Sequence, residues 1–453
     1  MALLRESVQV DAIGKECMDS GHYYLYKNKL PIGFLGMVDD IVGITEAGIK
    51  AQQMNAFINI KTAEKSLQFG VKKRKSMLVG KCLEKVINSD LLVDEWSVDY
   101  IEDKQTGDVN LVENYCGLTE MGKTDEQKYL GFVLSSTSDN MANIREVKKK
   151  SIGVVKSALN KLDSLKLKYY YFECSVIILN IMVRSSILYA SEMYYDLKDC
   201  EVRHLERIEE GFMRKVLNTT KGCPIKQLYL TLGHQPARFE IIKMKLLFLK
   251  YILHESDGSL ISKFFYLQLE MPTKGDWASS CLQDLKDLKI FQSLEEIKNM
   301  SYYQFKKLVK KRLKENAFVY LKGKIRSKGK ENIHLDLSMA EYLLPINKTL
   351  TIEDKQKLFA VKNRMVRIPA NFNKGKTKYI CRCGSTEDME HIFECQILSN
   401  GVQKNLKFNQ IYNGNLLEQI EVFRIFENNL ERRENLEKIL PCDLSDPLFS
   451  VLG

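Results

Sequence analysis

Residues 33–45 constrain the fold most, because they place two adjacent carboxylates between two apolar runs. The runs at 34–37 and 41–44 suit buried strands, whereas acids are tolerated at an exposed turn. The pattern therefore predicts a β-hairpin whose turn carries Asp39 and Asp40. Paired carboxylates at such a turn suit Mg²⁺ coordination in one half of a nucleotidyl-transfer site. Taken alone, however, the pair is more typical of an ordinary polar turn.

Length and composition indicate a globular chain. The 453 residues are 45% hydrophobic and 28% charged, which predicts a sizeable core and about two to four domains. Eleven cysteines at irregular spacing, without an N-terminal signal peptide, predict an intracellular protein of the nucleus or cytoplasm with reduced thiols. The longest strongly apolar run, residues 174–183, is shorter than the roughly 18 residues of a membrane span, so we expect no membrane partner.

Basic residues are concentrated in residues 301–330. This window holds eleven Lys or Arg against the single acid Glu315, a net charge equal to the +10 of the whole chain. Such a concentration predicts contact with nucleic-acid phosphates, and the solvated face of a helix is the alternative. We expect a helix in the first half and a loop at 322–330. The candidate binding residues here are Lys306, Lys307, Lys310, Lys311 and Arg312.

The remaining patterns predict an α+β fold that is mostly α. Strands are expected at 96–100 and 128–134, where apolar and polar residues alternate or apolar residues cluster. Helices are expected at 47–67, from Asn140 onward, and at 176–195, 202–217 and 239–253. The apolar run at 176–195 predicts a buried helix of a bundle, and residues 256–300 predict a connecting region. Lys148, Lys149 and Lys150 lie on the polar part of the helix after Asn140 and are further candidate nucleic-acid-binding residues.

A Cys/His group lies near the C-terminus. One residue separates Cys381 from Cys383. His391 and Cys395 follow at positions i and i+4, the spacing that puts two side chains on one helical face. Three sulfurs and one nitrogen suit tetrahedral Zn²⁺ with no open position, so the pattern predicts a structural zinc site. Three buried free thiols and a core histidine are the alternative.

The order of these features resembles the C-terminal half of the reverse transcriptase of non-LTR retrotransposons. In that resemblance Asp39 and Asp40 match the palm-hairpin motif, whose first Asp binds catalytic Mg²⁺, and Lys75 matches a basic residue near the incoming triphosphate. Tyr129, Leu130 and Gly131 match the primer-grip turn. The Cys/His group matches a C-terminal zinc knuckle of the CCHC type, and a segment at 228–236 resembles a recurring one after the thumb.

The resemblance also implies a domain organisation. It consists of a partial antiparallel palm sheet at 1–140, a helical thumb-like bundle at 141–260, a basic helical connector at 261–375, a zinc knuckle at 376–400 and a helical tail at 401–453. The resemblance implies RNA and DNA as partners. It also implies two metals, a structural Zn²⁺ and a catalytic Mg²⁺.

Two departures alter the expected activity. Met37 replaces the usual aromatic residue before the Asp pair, and only 38 residues precede Asp39, too few for the earlier strand that supplies another metal-binding Asp in the family. We therefore expect a truncated reverse transcriptase that binds RNA and DNA, does not polymerise alone, and has a partner chain over its incomplete palm. The alternative is a retroelement-derived protein with a non-catalytic nucleic-acid-binding or structural role.

Overall fold

The computed structural model describes part of the chain. The described residues are 19, 24–26, 29–32, 34–37, 40–44, 48–64, 75–77, 92–102, 109–120, 122–137, 140–167, 170–219, 225–255, 259–273, 275–326, 350–362, 381, 383, 385, 388–399, 406–408 and 410–439. Over these residues the fold is α+β and mostly helical, in agreement with the class expected from the sequence.

The strands lie in the N-terminal third of the chain. They are β1 (Tyr24–Tyr26), β2 (Leu30–Ile32), β3 (Phe34–Met37), β4 (Asp40–Gly43), β5 (Lys75–Ser76), β6 (Leu92–Glu102), β7 (Val109–Glu120), β8 (Gly122–Lys123), β9 (Glu126–Tyr129) and β10 (Phe132–Ser135). Within the described residues they form two-stranded sheets: β1–β2, β3–β4, β6–β7 and β9–β10 are antiparallel, and β5–β8 is parallel.

Helices make up most of the rest of the described chain. They are α1 (Gly48–Glu64), α2 (Met141–Ser164), α3 (Tyr171–Ile178), α4 (Ser185–Ile187), α5 (Asp199–Val216), α6 (Ile225–Thr231), α7 (Ala237–His254), α8 (Leu260–Glu270), α9 (Trp277–Asp287), α10 (Leu294–Asn299), α11 (Tyr302–Arg326), α12 (Ile352–Lys362), α13 (Met389–Glu394), α14 (Gln396–Ser399), α15 (Gln410–Asn413) and α16 (Leu416–Ile439). None of them is long and apolar enough to cross a membrane.

The chain forms two compact units. One consists of residues 1–149, 190–204 and 244–306, and the other of residues 150–189, 205–243 and 307–453.

In the first unit, two buried lysines of α7 bind neighbouring helices. Lys245 Nζ contacts Asp284 Oδ2 at 2.5 Å on α9, and Lys250 Nζ donates to the carbonyl oxygens of Ile297 and Lys298, both at 2.8 Å. Those carbonyls belong to the C-terminal end of α10, where a helix has no backbone partner for them. Residues 256–300, interpreted from the sequence as a connecting region, thus contain the helices α8, α9 and α10, and α9 and α10 contact α7 through these lysines.

A π-helical turn, Leu179–Arg184, joins α3 to α4 in the second unit. The expected buried helix at 176–195 is only partly correct: helical structure starts at Tyr171, α4 ends at Ile187, and Ile177 and Ile181 are exposed by 53% and 67%. Four of the buried side chains on this segment recur at every fourth residue, at Ser175, Leu179, Val183 and Ile187, and Phe172 and Arg184 are also buried.

The C-terminal part of the second unit has its own apolar core. It combines side chains of α12, the segment around the Cys/His group and α16, and its members are Leu350, Leu358, Val361, Met389, Ile392, Phe393, Cys395, Leu398, Phe408, Ile411, Ile420, Val422, Phe423 and Phe426. Burying side chains from these separate stretches in one core fixes their relative positions.

Candidate metal centre and basic helices

The four predicted zinc ligands come together. One ligand atom from each of Cys381, Cys383, His391 and Cys395 lies within 4.8 Å of every other. The Sγ atoms of Cys381 and Cys395 are 3.8 Å apart, and Cys383 Sγ is 3.3 Å from His391 Nε2. In a tetrahedral site with Zn–S of about 2.3 Å and Zn–N of about 2.0 Å, these separations would be roughly 3.8 Å and 3.5 Å. The group therefore has the donor set and the size to hold a metal ion.

Local structure sets the positions of these ligands. Asp388 is the N-cap of α13 and its Oδ1 accepts from the backbone N–H of His391 at 2.7 Å, so His391 is fixed on the first turn. The backbone N–H of Cys395 donates to the His391 carbonyl at 2.7 Å, at the end of the same helix. On the other side, the backbone N–H of Cys381 donates to the Ser385 carbonyl at 2.8 Å, which tightens the turn that carries Cys383.

The C-terminal helix α16 forms hydrogen bonds with the segment that carries the ligands. Asn429 Nδ2 on α16 donates to the carbonyl oxygens of Ile392 and Phe393 at 3.0 and 3.1 Å, and Arg432 Nη1 donates to that of Leu398 at 2.7 Å. Asn429 is 2% exposed, so these bonds satisfy carbonyls that would otherwise be buried without a partner. The ligand-bearing helix α13 is therefore fixed to α16.

The ligands differ in exposure. Cys395 is buried, Cys381 and His391 are half-buried, and Cys383 is exposed. Burial raises the pKa of the Cys381 thiol to about 11. A metal ion binds the thiolate, so it must displace the proton that this environment favours.

Residues 302–326 of the basic window form one continuous helix. α11 runs from Tyr302 to Arg326, so the loop predicted for residues 322–330 is wrong over 322–326. Lys307, Lys310 and Lys311 are exposed, whereas Lys306 and Arg312 are half-buried. Arg312 Nη1 lies 3.3 Å from Glu315, the single acid of this window.

A second basic surface lies on α2. Lys148, Lys149 and Lys150 are exposed there, as predicted, and the exposed Lys156 and Lys161 follow on the same helix. The aliphatic side chain of Ile152 is 65% exposed among them.

The structure describes only part of the Asp39–Asp40 hairpin. β3 and β4 are antiparallel, which confirms a hairpin, but Asp40 pairs with Met37 as the first residue of β4, so its predicted place in the turn is wrong. Asp39 lies outside the described residues. Lys75 begins β5, which pairs in parallel with β8 and places Lys75 opposite Gly122.

Tyr129, Leu130 and Gly131 form the tight turn of a second hairpin, so the single strand predicted at 128–134 is wrong. Tyr129 pairs with Phe132, and the two loop residues Leu130 and Gly131 have φ of 47° and 84°. Two positive φ values in a two-residue loop define the turn that matches strand twist, and Gly tolerates this conformation better than Leu. Asn143 on α2 fixes the hairpin, since its Oδ1 accepts from the Val133 N–H at 3.1 Å.

A buried ionic network was not predicted from the sequence. Arg184 Nε donates to Glu209 Oε1 at 2.7 Å, while the Tyr229 hydroxyl and the Ala237 N–H donate to Glu209 Oε2 at 2.8 and 3.0 Å. Arg184 also donates to the Gln235 carbonyl. The network thus joins the π-helical turn, α5, α6 and the start of α7.

A sequence signal for this network did exist. On α5 an apolar stripe at helical spacing is formed by the buried residues Val202, Leu205, Phe212 and Val216, and Glu209 lies within this stripe. Three other glutamates of the helix, Glu201, Glu206 and Glu210, are buried as well. An acid at such a position needs a buried partner. α5 starts at Asp199, so Glu209 lies in the interior of the helix.

Comparison with known proteins gave no match: no family model, curated protein or solved structure matches this chain.

Proposed function

We propose that this chain is a nucleic-acid-binding protein of reverse-transcriptase ancestry, held together near its C-terminus by a structural zinc ion. The observation that carries the proposal is the exposed face of α11, on which Lys307, Lys310, Lys311 and Lys314 are three and four residues apart. Side chains with this spacing share one helical face. Within the described part of the chain, none of these four lysines forms an ion pair.

Electrostatics favours a polyanion as the ligand of this face. Four lysines on one face repel each other in the free protein, and phosphates relieve that repulsion while releasing counterions. The lysines on α2 add a second surface of the same sign. A solvated surface without a ligand is the competing explanation, and salt-dependent binding distinguishes the two.

The binding experiment neutralises the face without unfolding the helix. Replacing Lys307, Lys310, Lys311 and Lys314 by Gln should lower RNA affinity and reduce the slope of log K against log salt by about three, since each phosphate contact contributes roughly 0.7 to 0.9. A matched control changes four exposed lysines elsewhere by the same total charge, namely Lys198, Lys215, Lys263 and Lys286. Equal losses in both variants, or no RNA binding at moderate salt, would contradict the proposal.

Zinc is the metal that the donor set fits best. Three thiolates and one imidazole satisfy four-coordinate Zn²⁺ and leave no position for a substrate, so its role would be structural. Metal analysis of the purified full chain should find one zinc ion per chain, and Cys383→Ser should lose it. Cys200→Ser is the control, because Cys200 is also an exposed free cysteine but lies on α5. A chain that purifies folded and without metal would refute the zinc assignment.

RNA-directed DNA synthesis is a second candidate, favoured by the pairing of Met37 with Asp40 in the hairpin of β3 and β4. In the family that this chain resembles, such a hairpin carries catalytic carboxylates for Mg²⁺. Primer extension on an RNA template with Mg²⁺ tests it directly. Incorporation that Asp39→Asn abolishes would establish polymerase activity, whereas RNA binding without incorporation would leave binding as the function.

A further inference from the structure

An exposed tyrosine lies at the start of the basic helix. Tyr303 is 73% exposed, and it makes no hydrogen bond or ring contact with the residues that the structure describes. Its neighbour Tyr302 is less exposed, at 49%, and Lys306 Nζ lies 5.5 Å from the Tyr302 ring centroid. The Tyr303 ring is therefore accessible to a stacking partner.

Tyr303 shares the face of the four lysines. It precedes Lys307 by four residues, and Lys310, Lys311 and Lys314 continue along the same side of α11, whereas Tyr302 is rotated by about 100° from Tyr303. These positions lie on one continuous helix, so the helix itself sets their spacing. The face from Tyr303 to Lys314 is about 17 Å long at 1.5 Å per residue.

The first turn of α11 is capped by two reciprocal hydrogen bonds. Ser301 Oγ accepts from the Gln304 N–H at 3.2 Å, and Gln304 Oε1 accepts from the Ser301 N–H at 3.0 Å. This reciprocal cap fixes the turn that carries Tyr303, so less conformational entropy is lost when a ligand binds there.

We propose that α11 binds single-stranded nucleic acid, with one unpaired base stacked on Tyr303 and the adjacent phosphates on the four lysines. This inference rests on the proposed function and names its ligand. A base in a duplex has its faces covered by its neighbours, so an exposed ring beside a basic stripe favours a single strand. α2 has lysines but no aromatic residue, and is expected to contact phosphates alone.

The experiment compares a single strand with a duplex. Binding of the full chain to a fluorescein-labelled deoxythymidine dodecamer, and to a blunt duplex of the same length, is measured by fluorescence anisotropy. Tyr303→Ala should weaken single-strand binding by about 5-fold to 150-fold, the usual range for one stacked base, and change duplex binding by less than about twofold. Tyr303→Phe should retain the affinity, because its ring still stacks, and Tyr302→Ala should change little.

A second readout reports the stack itself. An oligonucleotide with a single 2-aminopurine should show a change in fluorescence on binding to the wild-type chain, and this change should be lost in Tyr303→Ala at saturating protein. A structural role for Tyr303 would lower helix content instead, which circular dichroism detects. Retention of the signal in Tyr303→Ala would overturn the inference.

The outcomes separate this inference from the proposed function. If the four-lysine variant loses RNA binding and Tyr303→Ala does not, the inference fails and the proposed function stands. Equal losses on single strand and duplex in Tyr303→Ala would also refute it, as would binding of a protein partner through Tyr303 without any effect on oligonucleotides. If the four-lysine variant binds as well as wild type, both fail.

Discussion

The buried network around Glu209 gives the sharpest stability prediction. Its carboxylate is fully buried and receives three hydrogen bonds, from Arg184, Tyr229 and the backbone of Ala237. In Glu209→Ala the buried Arg184 guanidinium keeps its hydrogen bonds to the Gln235 carbonyl and to Asn180 Oδ1, the latter at 3.2 Å. The nearest remaining carboxylate oxygen is Glu240 Oε1, at 3.9 Å. Breaking a buried ion pair costs about 3–5 kcal/mol, and each orphaned polar group adds about 1–3 kcal/mol. We therefore expect a loss of at least about 4 kcal/mol.

Hydrogen exchange with mass spectrometry is the suitable assay, because a chain with two units need not unfold in one step. Amides of residues 225–240 should exchange about a thousandfold faster in Glu209→Ala, the equivalent of about 4 kcal/mol. The double variant Arg184→Met, Glu209→Gln should recover most of this protection, since no unpaired charge is buried and Gln still accepts from Tyr229. Glu353→Ala, at a side chain that is 76% exposed, is the control and should change nothing measurable. A small effect of Glu209→Ala, or no recovery in the double variant, would refute the electrostatic account.

Three further predictions concern other parts of the molecule. Chelation of the metal should increase amide exchange in α16, because Asn429 connects this helix to the ligand-bearing helix α13. In Cys395→Ser the exchange in α16 should already be fast and should not respond to the chelator. A wild-type chain whose exchange does not respond to the chelator would contradict this prediction. Leu130→Asn should stabilise the β9–β10 hairpin by about 1 kcal/mol in thermal unfolding, because Asn tolerates a φ of 47° better than Leu. A lower unfolding midpoint would indicate that the contacts of the Leu side chain contribute more than its backbone strain costs. Burial, aided by Arg184, lowers the pKa of His234 to about 3 from 6.5, so its contribution to stability is present above pH 6.5 and lost as the pH falls toward 3. Between pH 7 and 5 the loss should be about 2 kcal/mol in denaturant unfolding, and His234→Gln should remove it; equal pH slopes in the two proteins would refute the assignment.

The clustering of Cys381, Cys383, His391 and Cys395 could be predicted from the sequence because these residues lie close together along the chain. The i, i+4 spacing of His391 and Cys395 fixes both on one side of a short helical turn, and only one residue separates Cys381 from Cys383. Local geometry decides such a site, so spacing is informative. The support from Asn429 was not predictable, since it comes from a helix more than thirty residues further on.

The extent of the helices was less predictable. Residues 322–326 contain Gly323, which favours a loop by local preference, yet α11 continues to Arg326. Its inner face, which includes the buried Leu313, Ala317 and Leu321, outweighs that preference by packing. Long-range pairs such as Arg184 and Glu209 leave only an indirect trace, an acid within an apolar stripe.

The π-helical turn has a consequence for how this segment tolerates insertions and deletions. Side chains at every fourth residue drift by about 40° per turn in a regular α-helix, so Ser175 and Ile187 would point about 120° apart. The wider turn at Leu179–Arg184 cancels this drift and keeps both on the buried side, as an extra residue absorbed into the helix would do. Deleting Asn180 should therefore remove the extra residue, restore regular α-helical winding and leave Ser175 and Ile187 on the same side, because eleven residues at about 100° each put them only about 20° apart. A deletion is thus tolerated at this turn, whereas a deletion in a regular turn of α3 should rotate the residues before it relative to Arg184.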